Sequence, residues 1–255
     1  MSFRFDSASA THPGHVRTRN EDAFLCDSRN GIWVVSDGMG GEAAGDFASE
    51  LVITALTMVG PAASADDLLN RVRDRLREAH AELLAYADVR SVRVVGATVV
   101  VLIAYEAYVA CVWSGDSRLY RMRDNRLAQL SRDHNEVGEL LERGAITRSE
   151  AKTWRGRNAI TRAVGVYPEL ELETLYGDLR VGDTFVLCSD GLPLHVEDEE
   201  IREIVRASGD SASAAESLVE LALSRGGQDN VTVVVVRTLR EFERTTVLQP
   251  VRRPD

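Results

Sequence analysis

The segment Ile32-Trp33-Val34-Val35-Ser36-Asp37-Gly38-Met39-Gly40-Gly41 contains the pattern on which the rest of this chain is built. Its first four residues are apolar and mostly β-branched, which predicts a buried strand. The strand is expected to end at Asp37, because residues 38–41 have almost no side chains and suit a tight loop. A carboxylate at a strand end beside bare backbone can hold a hard metal ion, or it can be simple turn chemistry.

The same combination of an apolar strand with Asp and Gly occurs again along the chain. Residues 184–191 end in Ser-Asp-Gly, residues 109–116 end in Ser-Gly-Asp, and in residues 226–236 the Asp precedes the strand. The end of one strand lies beside the start of its neighbour in an antiparallel sheet. Four carboxylates are therefore predicted to converge on one edge of a β core: Asp37, Asp116, Asp190 and Asp229.

Length and composition limit the classes of protein to which the chain can belong. Its 255 residues suit one large domain, which we expect at 1–239, followed by a flexible tail at 240–255 with two prolines and little periodicity. A net charge of −10 argues against a nucleic-acid binder.

The chain has three cysteines, and none of them forms a Cys-x-x-Cys motif. This argues against a disulfide scaffold or a thiolate metal site.

Two features bear on location. The N-terminus lacks the apolar core of a signal peptide, so a cytoplasmic protein is expected. The segment Val94–Trp113 is long and apolar enough to span a bilayer, but Glu106 within it would be costly there. We therefore predict two core strands joined by a tight turn at Tyr105-Glu106 and no membrane association.

The predicted elements run in the order strands, two helices, strands, two helices, one strand. This order favours an α+β fold with antiparallel sheets and helices stacked outside them. The last helix is expected to begin at Ser213, where Ser213 and Glu216 have the spacing of a capping box. Residues 133–156 are polar, with a short helix near 136–143, and are interpreted as a surface flap.

The four carboxylates offer oxygen alone, with no His or Cys at ligand spacing, which favours Mg²⁺ or Mn²⁺ over Zn²⁺. A bare carbonyl such as that of Gly38 could add a ligand. Two such ions about 4 Å apart can lower the pKa of a shared water and hold a phosphoryl group. An arginine is then needed for the phosphate oxygens, and Arg17 and Arg19 are both candidates.

The chain resembles the bacterial metal-dependent serine/threonine protein phosphatases of type 2C. The matching segments occur in the family's order from about residue 12 to 236. They are Gly14-His15-Val16-Arg17-x-x-Asn20-Glu21-Asp22, Asp37-Gly38-Met39-Gly40-Gly41, Gly115-Asp116-Ser117-Arg118-x-Tyr120, Leu130-Ser131-x-Asp133-His134, Ile160-Thr161-Arg162-Ala163-Val164-Gly165, Ser189-Asp190-Gly191-Leu192 and Gly227-x-Asp229-Asn230-Val231-Thr232.

The resemblance implies a four-layer α-β-β-α sandwich, two antiparallel sheets flanked by helix pairs, with two tightly bound Mn²⁺ or Mg²⁺ ions at one end. It implies that Asp37 bridges these ions, that the Gly38 carbonyl binds one of them, and that Asp190 and Asp229 bind the other. Asp116 matches a position that, together with Asp190, can bind a third, looser ion.

The resemblance also implies roles for the segment that precedes the first core strand. Glu21 and Asp22 would act through metal-bound water, and Arg17 would hold the substrate phosphate. Met39 departs from the eukaryotic pattern, which has a His proposed as general acid, because a thioether cannot donate a proton. His12, His15, His134 and His195 are interpreted as structural or surface residues.

The function implied is hydrolysis of phosphoserine and phosphothreonine on proteins, with Asp37 and Arg17 as catalytic residues. The partners implied are phosphorylated proteins, including a Ser/Thr protein kinase or its substrates, and the chain is expected to be a monomer. A non-catalytic phosphoprotein-binding relative is the alternative, against which the complete carboxylate set argues. A two-metal nuclease or phosphodiesterase fits the metals but not the acidic net charge.

Overall fold

The computed structural model describes residues 3–40, 44–151, 154 and 159–240. The segment 241–255, which makes up nearly all of the expected tail, lies outside the described residues, as do Gly41 and part of the expected flap. The last strand reaches Arg240, so the first residue of the expected tail belongs to the sheet.

Eleven strands form two antiparallel sheets within the described residues. The first sheet has the order β1-β11-β10-β7-β8, and the second has the order β2-β3-β5-β6-β9, with β4 paired to β3. The strands are β1 (Phe3–His12), β2 (Asp22–Asp27), β3 (Ile32–Gly40), β4 (Val95–Ala97), β5 (Val99–Tyr105), β6 (Tyr108–Ser114), β7 (Arg118–Arg123), β8 (Arg126–Gln129), β9 (Glu173–Asp178), β10 (Thr184–Cys188) and β11 (Val231–Arg240).

Two helix pairs cover the outer faces of the two sheets. Helices α1 and α2 share one buried cluster with β3 and β5, and α5 and α6 share another with β10 and β11. The predicted four-layer α-β-β-α sandwich is therefore confirmed. The helices are α1 (Gly45–Thr57), α2 (Ala65–Arg90), α3 (Glu136–Glu142), α4 (Arg148–Ala151), α5 (Asp198–Ala207) and α6 (Ser211–Ser224).

Residues 32–35 of β3 and 99–104 of β5 are all apolar and buried because both faces of their sheet are covered. In β3, Ile32 and Val34 pack towards the helices α1 and α2, whereas Trp33 and Val35 pack between the sheets. Successive side chains of a strand point to opposite faces, so one continuous apolar run serves two cores. The segment Val94–Trp113 likewise supplies core strands, and Glu106, with φ of 51°, forms the turn between β5 and β6.

Two local predictions are wrong. Strand β3 does not end at Asp37 but continues to Gly40, because Gly38 and Gly40 pair with β4. Helix α6 begins at Ser211, where the Asp210 side chain accepts the N–H of Ser213. A capping box occurs instead at the start of α5, between Glu197 and Glu200.

The expected flap contains α3 and α4. Its first residues are buried, which its polar composition did not indicate. His134 and Asn135 at its start are buried, and the Asn135 side chain caps α3 by accepting the N–H of Gly138 at 2.8 Å. Gly144, with φ of 64°, follows the end of α3, as predicted. No helix in the described part of the chain is both long enough and apolar enough to cross a membrane.

Candidate active site

The sheet topology brings the five aspartates of the site to one end of the sandwich. Strands β3 and β6 are both antiparallel to β5, so Asp37 in β3 and Asp116 after β6 lie at the same edge. In the other sheet, Asp190 follows β10 and Asp229 precedes its antiparallel neighbour β11. Asp22, at the start of β2, is the register partner of Asp37.

The electrostatics show that these carboxylates face one another. Burial raises the pKa of Asp37 well above its usual range, and the charges of Asp22 and Asp190 raise it further. Burial also raises the pKa of Asp190, and the charges of Asp116 and Asp229 add to the effect. For Asp22 and for Asp116, burial raises the pKa to about 6. Such a cluster is stable as carboxylates only when positive charge is brought into it.

Two carboxylate oxygens of the cluster are buried without a hydrogen-bond partner. Ser189 Oγ donates to Asp22 Oδ2 at 2.7 Å, whereas Asp22 Oδ1 has no partner. Asn135 Nδ2 donates to Asp116 Oδ2 at 3.2 Å, whereas Asp116 Oδ1 has no partner. Leaving a buried acceptor unsatisfied is costly. The oxygen-only donor set therefore fits a hard divalent cation.

The carboxylates are nevertheless not preassembled as ligands. In the described part of the chain, no group of three or more His, Cys, Asp or Glu side chains is arranged to hold a metal ion. One reason is that Asp229 is engaged elsewhere. Arg17 Nε donates to Asp229 Oδ1 and Arg17 Nη2 donates to Asp229 Oδ2, both at 2.8 Å.

This forked ion pair distinguishes the two arginine candidates. Its carboxylate raises the pKa of Arg17, whose side chain remains 56% exposed. Arg19 instead lies 3.3 Å from the carboxylate of Asp46 in α1. Arg17 is therefore the arginine that contacts the carboxylate cluster.

The backbone at Gly38 packs closely against Glu21 and Gly45. The Gly38 N–H donates to the Glu21 carbonyl at 3.0 Å, and a Cβ on Gly38 would lie 1.9 Å from the carbonyl oxygen of Gly45. Gly45 opens α1, where a Cβ would lie 2.6 Å from the Glu21 carboxylate. Burial, followed by the charge of Asp46, raises the pKa of Glu21.

Asp116 does not pair with Arg118, the partner that a simple turn residue would have there. Arg118 instead binds Asp133 in a forked pair, with Nη2 at 2.7 Å from Oδ2 and Nε at 2.9 Å from Oδ1. The Asn135 contact with Asp116 is therefore the connection between the carboxylate cluster and the start of α3.

Four of the five histidines accept a backbone N–H group, and the fifth, His15, is exposed. An imidazole nitrogen that accepts a hydrogen bond cannot carry a proton at that atom. Burial also lowers the pKa of His134 and of His195. The backbone N–H of Gly14 donates to His12 at 2.9 Å, and that of Gly165 donates to His80 at 2.9 Å. The N–H of Gly115 donates to His134 at 3.2 Å, and that of Gln228 donates to His195 at 3.1 Å.

Several residues that support the site were given no role from the sequence, although Ser189 and Asn230 lie in the matching segments. Thr98 Oγ1 accepts the Asp37 N–H at 3.1 Å, Ser189 bonds Asp22, and Asn135 bonds Asp116. Asn230 bonds the segment that carries Arg17. The available signal was adjacency, because Ser189 and Asn230 each stand next to an Asp of the predicted set.

With this geometry established, comparison with known proteins identifies the family. A model described as protein phosphatase 2C matches residues 13–242. The serine/threonine phosphatase stp of Listeria welshimeri is 33% identical over 234 residues, covering 89% of this chain and 93% of its own.

Solved structures agree with the sequence comparison. PppA, described as a key regulatory component of T6SS in Pseudomonas aeruginosa, is 41% identical with a TM-score of 0.86, over 92% of this chain and 98% of that one. The catalytic domain of the phosphatase PstP, solved in complex with two manganese ions, is 34% identical to this chain with a TM-score of 0.85. The match covers 94% of this chain and 100% of the PstP chain. The chain belongs to the protein phosphatase 2C family.

Proposed function

We propose that this member of the protein phosphatase 2C family hydrolyses phosphoserine and phosphothreonine on proteins. The observation that carries the proposal is the convergence of mutually destabilised carboxylates on one end of the sandwich, with an exposed Arg17 in contact with them. The similarity to phosphatases from several bacteria supports it.

The residues proposed to hold Mn²⁺ or Mg²⁺ are those of the carboxylate cluster. Asp37 is the register partner of Asp22 in its own sheet, and the charge of Asp190 in the other sheet raises its pKa, which suits a ligand shared by two cations. The Gly38 carbonyl, Asp190 and Asp229 would complete two sites, and Asp116 would contribute to a looser third. Bound there, divalent cations supply the nucleophile by lowering the pKa of a water ligand.

Arg17 is proposed to hold the phosphate oxygens of the substrate. A guanidinium presents two parallel N–H groups that match a phosphate as well as a carboxylate. Glu21 and Asp22 are proposed to act on the water ligands of the cations, and the unpartnered Oδ1 of Asp22 is free to accept from them. Because Met39 cannot donate a proton, we propose that the leaving alkoxide is protonated by water.

The test is turnover of p-nitrophenyl phosphate and of a phosphothreonine peptide with Mn²⁺, compared with excess EDTA. We expect hydrolysis of both with Mn²⁺ and none with EDTA. Asp37→Asn should lower kcat by about a thousandfold while the protein stays folded, because a bound metal contributes several kcal/mol to transition-state stabilisation. Wild-type protein that binds a phosphopeptide but never cleaves it would favour the non-catalytic alternative.

The finer assignments are also proposals. We propose that the substrates include a Ser/Thr protein kinase or its substrates, that the protein acts in cytoplasmic signal transduction, and that it works as a monomer. These follow from the family and from the expected location, and a phosphoproteome comparison with and without the enzyme would identify the substrates.

A further inference from the structure

Arg17 lies on a loop, which raises the question of what holds it in place. Residues 13–21, here called the Arg17 loop, connect β1 to β2 and form turns and bends rather than helix or strand. Residues 15–19 of this loop are exposed. A group that must meet a phosphate oxygen needs a better-defined position than an exposed loop supplies by itself.

One buried side chain bonds both ends of the Arg17 loop. Asn230 Nδ2 donates to the carbonyl of Pro13 at 2.9 Å and to the carbonyl of Arg19 at 2.8 Å. Its Oδ1 accepts the N–H of Glu21 at 2.8 Å. Both donors and one acceptor position of the carboxamide are thus used on a single loop.

Asn230 is itself well supported. It is 6% exposed and stands directly before β11, a central strand of its sheet. Its own N–H donates to Asp229 Oδ1 at 2.9 Å, on the carboxylate that Arg17 contacts. One short segment therefore carries a proposed metal ligand and the group that binds the ends of the Arg17 loop.

The loop also approaches this segment through its backbone. The His15 N–H donates to the Gly227 carbonyl at 2.7 Å. Gly14 has φ of +79°, and a Cβ there would lie 2.4 Å from the carbonyl oxygen of Asp229. These contacts leave the Arg17 side chain exposed while the loop ends are fixed.

We propose that Asn230 is a positioning residue, which fixes Arg17 and Glu21 relative to the carboxylate cluster. The inference rests on the proposed function for its kinetic consequence, but the anchoring itself is independent of catalysis. Without the carboxamide, both loop ends lose their shared partner, and Arg17 must be ordered each time a phosphate binds.

The first test is hydrogen exchange of the Arg17 loop in Asn230→Ala and in the milder Asn230→Ser, whose hydroxyl is too short to reach both carbonyls. We expect exchange in residues 13–21 to be about tenfold faster or more, since three hydrogen bonds are removed. Protection of β10 and β11 should be retained, which also verifies folding. Asn30→Ala is the control, because the Asn30 side chain also donates a hydrogen bond, to Asp27 at the end of β2, but lies at the end of β2 and β3 remote from the Arg17 loop.

The second test is the inhibition constant of inorganic phosphate at saturating Mn²⁺. We expect it to rise about tenfold in both Asn230 variants, with KM raised more than kcat is lowered, and to be unchanged in Asn30→Ala. A loop protected as in the wild type, or an unchanged phosphate constant beside a lowered melting temperature, would overturn the proposal. Wild-type protein without Mn²⁺-dependent turnover would instead contradict the proposed function. The hydrogen-exchange test of the anchoring of the loop by Asn230 would still be valid.

Discussion

Arg17 and Asp229 are each other's partners, so a cation that binds Asp229 competes with a guanidinium. We predict that Arg17→Ala raises KM for a phosphorylated substrate by more than it lowers kcat, because the contact is made in the ground state and the transition state. We also predict tighter Mn²⁺ binding, by about threefold to tenfold, since a positive charge beside the ligand is removed. Arg19→Ala is the control, because Arg19 pairs with Asp46.

The measurements are steady-state kinetics and calorimetric titration with Mn²⁺. Unchanged KM in Arg17→Ala would move phosphate binding to another group. Weaker Mn²⁺ binding in the same variant would show that Arg17 organises Asp229 for the cation rather than competing with it.

Asp116 is the carboxylate whose role is least determined by its position. It is 4% exposed, has one unpartnered oxygen, and bonds Asn135 rather than Arg118. We predict that Asp116→Ala keeps the two tight ions and loses a weaker one, with turnover reduced. Calorimetry should show the strong phase intact and the weak phase gone. Normal turnover of the variant at every Mn²⁺ concentration would make Asp116 a purely structural residue.

For individual residues, the sequence pointed to the aspartates of the cluster but not to the side chains that hydrogen-bond to them or to the Arg17 loop. That Asp37, Asp116, Asp190 and Asp229 converge on one end of the sandwich was predictable, because strand ends alternate between the edges of an antiparallel sheet, whereas their role as metal ligands remains a prediction. The bonds from Ser189, Asn135 and Asn230 join residues far apart in the chain. No local periodicity encodes such contacts, since they exist only after the two sheets have packed together.

The bounds of strand β3 also depend on contacts with a distant segment, which the local sequence does not reveal. Its apolar part was predictable from composition, but its continuation through Asp37 to Gly40 depends on pairing with β4. Gly38 and Gly40, which suggested a loop, instead let other chain segments approach the strand. Similarly, the start of α6 was misplaced because Asp210 is as good a cap as Ser213.

Gly38→Ala tests this interpretation of β3. A Cβ there would lie 1.9 Å from the Gly45 carbonyl oxygen and 2.8 Å from that of Glu21, so β3 and α1 must separate. We predict a loss of about 1–3 kcal/mol in the free energy of unfolding, the range for overpacked sites. Gly209→Ala is the control, because nothing lies within 4 Å of a Cβ at Gly209, and denaturant unfolding measures both. A Gly38→Ala protein as stable as the wild type would mean that α1 yields readily.

For the whole molecule, the carboxylate cluster links stability to pH and to cations. Asp22 and Asp116 have folded-state pKa values raised to about 6, above the values near 4 of unfolded chains. The folded state therefore holds their protons more tightly, and this contribution, complete below about pH 4, is lost as the pH rises through 6. Divalent cations offset the resulting charge and compete with protons for the same oxygens.

We therefore predict that excess Mn²⁺ raises the melting temperature more at pH 8 than at pH 5, measured against EDTA at each pH. Asp37→Asn should reduce the gain at pH 8, because it removes a charge from the centre of the cluster. An equal or smaller gain at pH 8 would contradict the linkage.

We propose that the five aspartates at one end of the sandwich form a divalent-cation centre. Manganese anomalous diffraction from crystals grown with Mn²⁺ tests it most directly. We predict two strong peaks between the sheet ends, within bonding distance of Asp37, Asp190 and Asp229, with Arg17 released from Asp229. An active, Mn²⁺-loaded enzyme whose anomalous peaks lie elsewhere, with the Arg17–Asp229 pair intact, would contradict it.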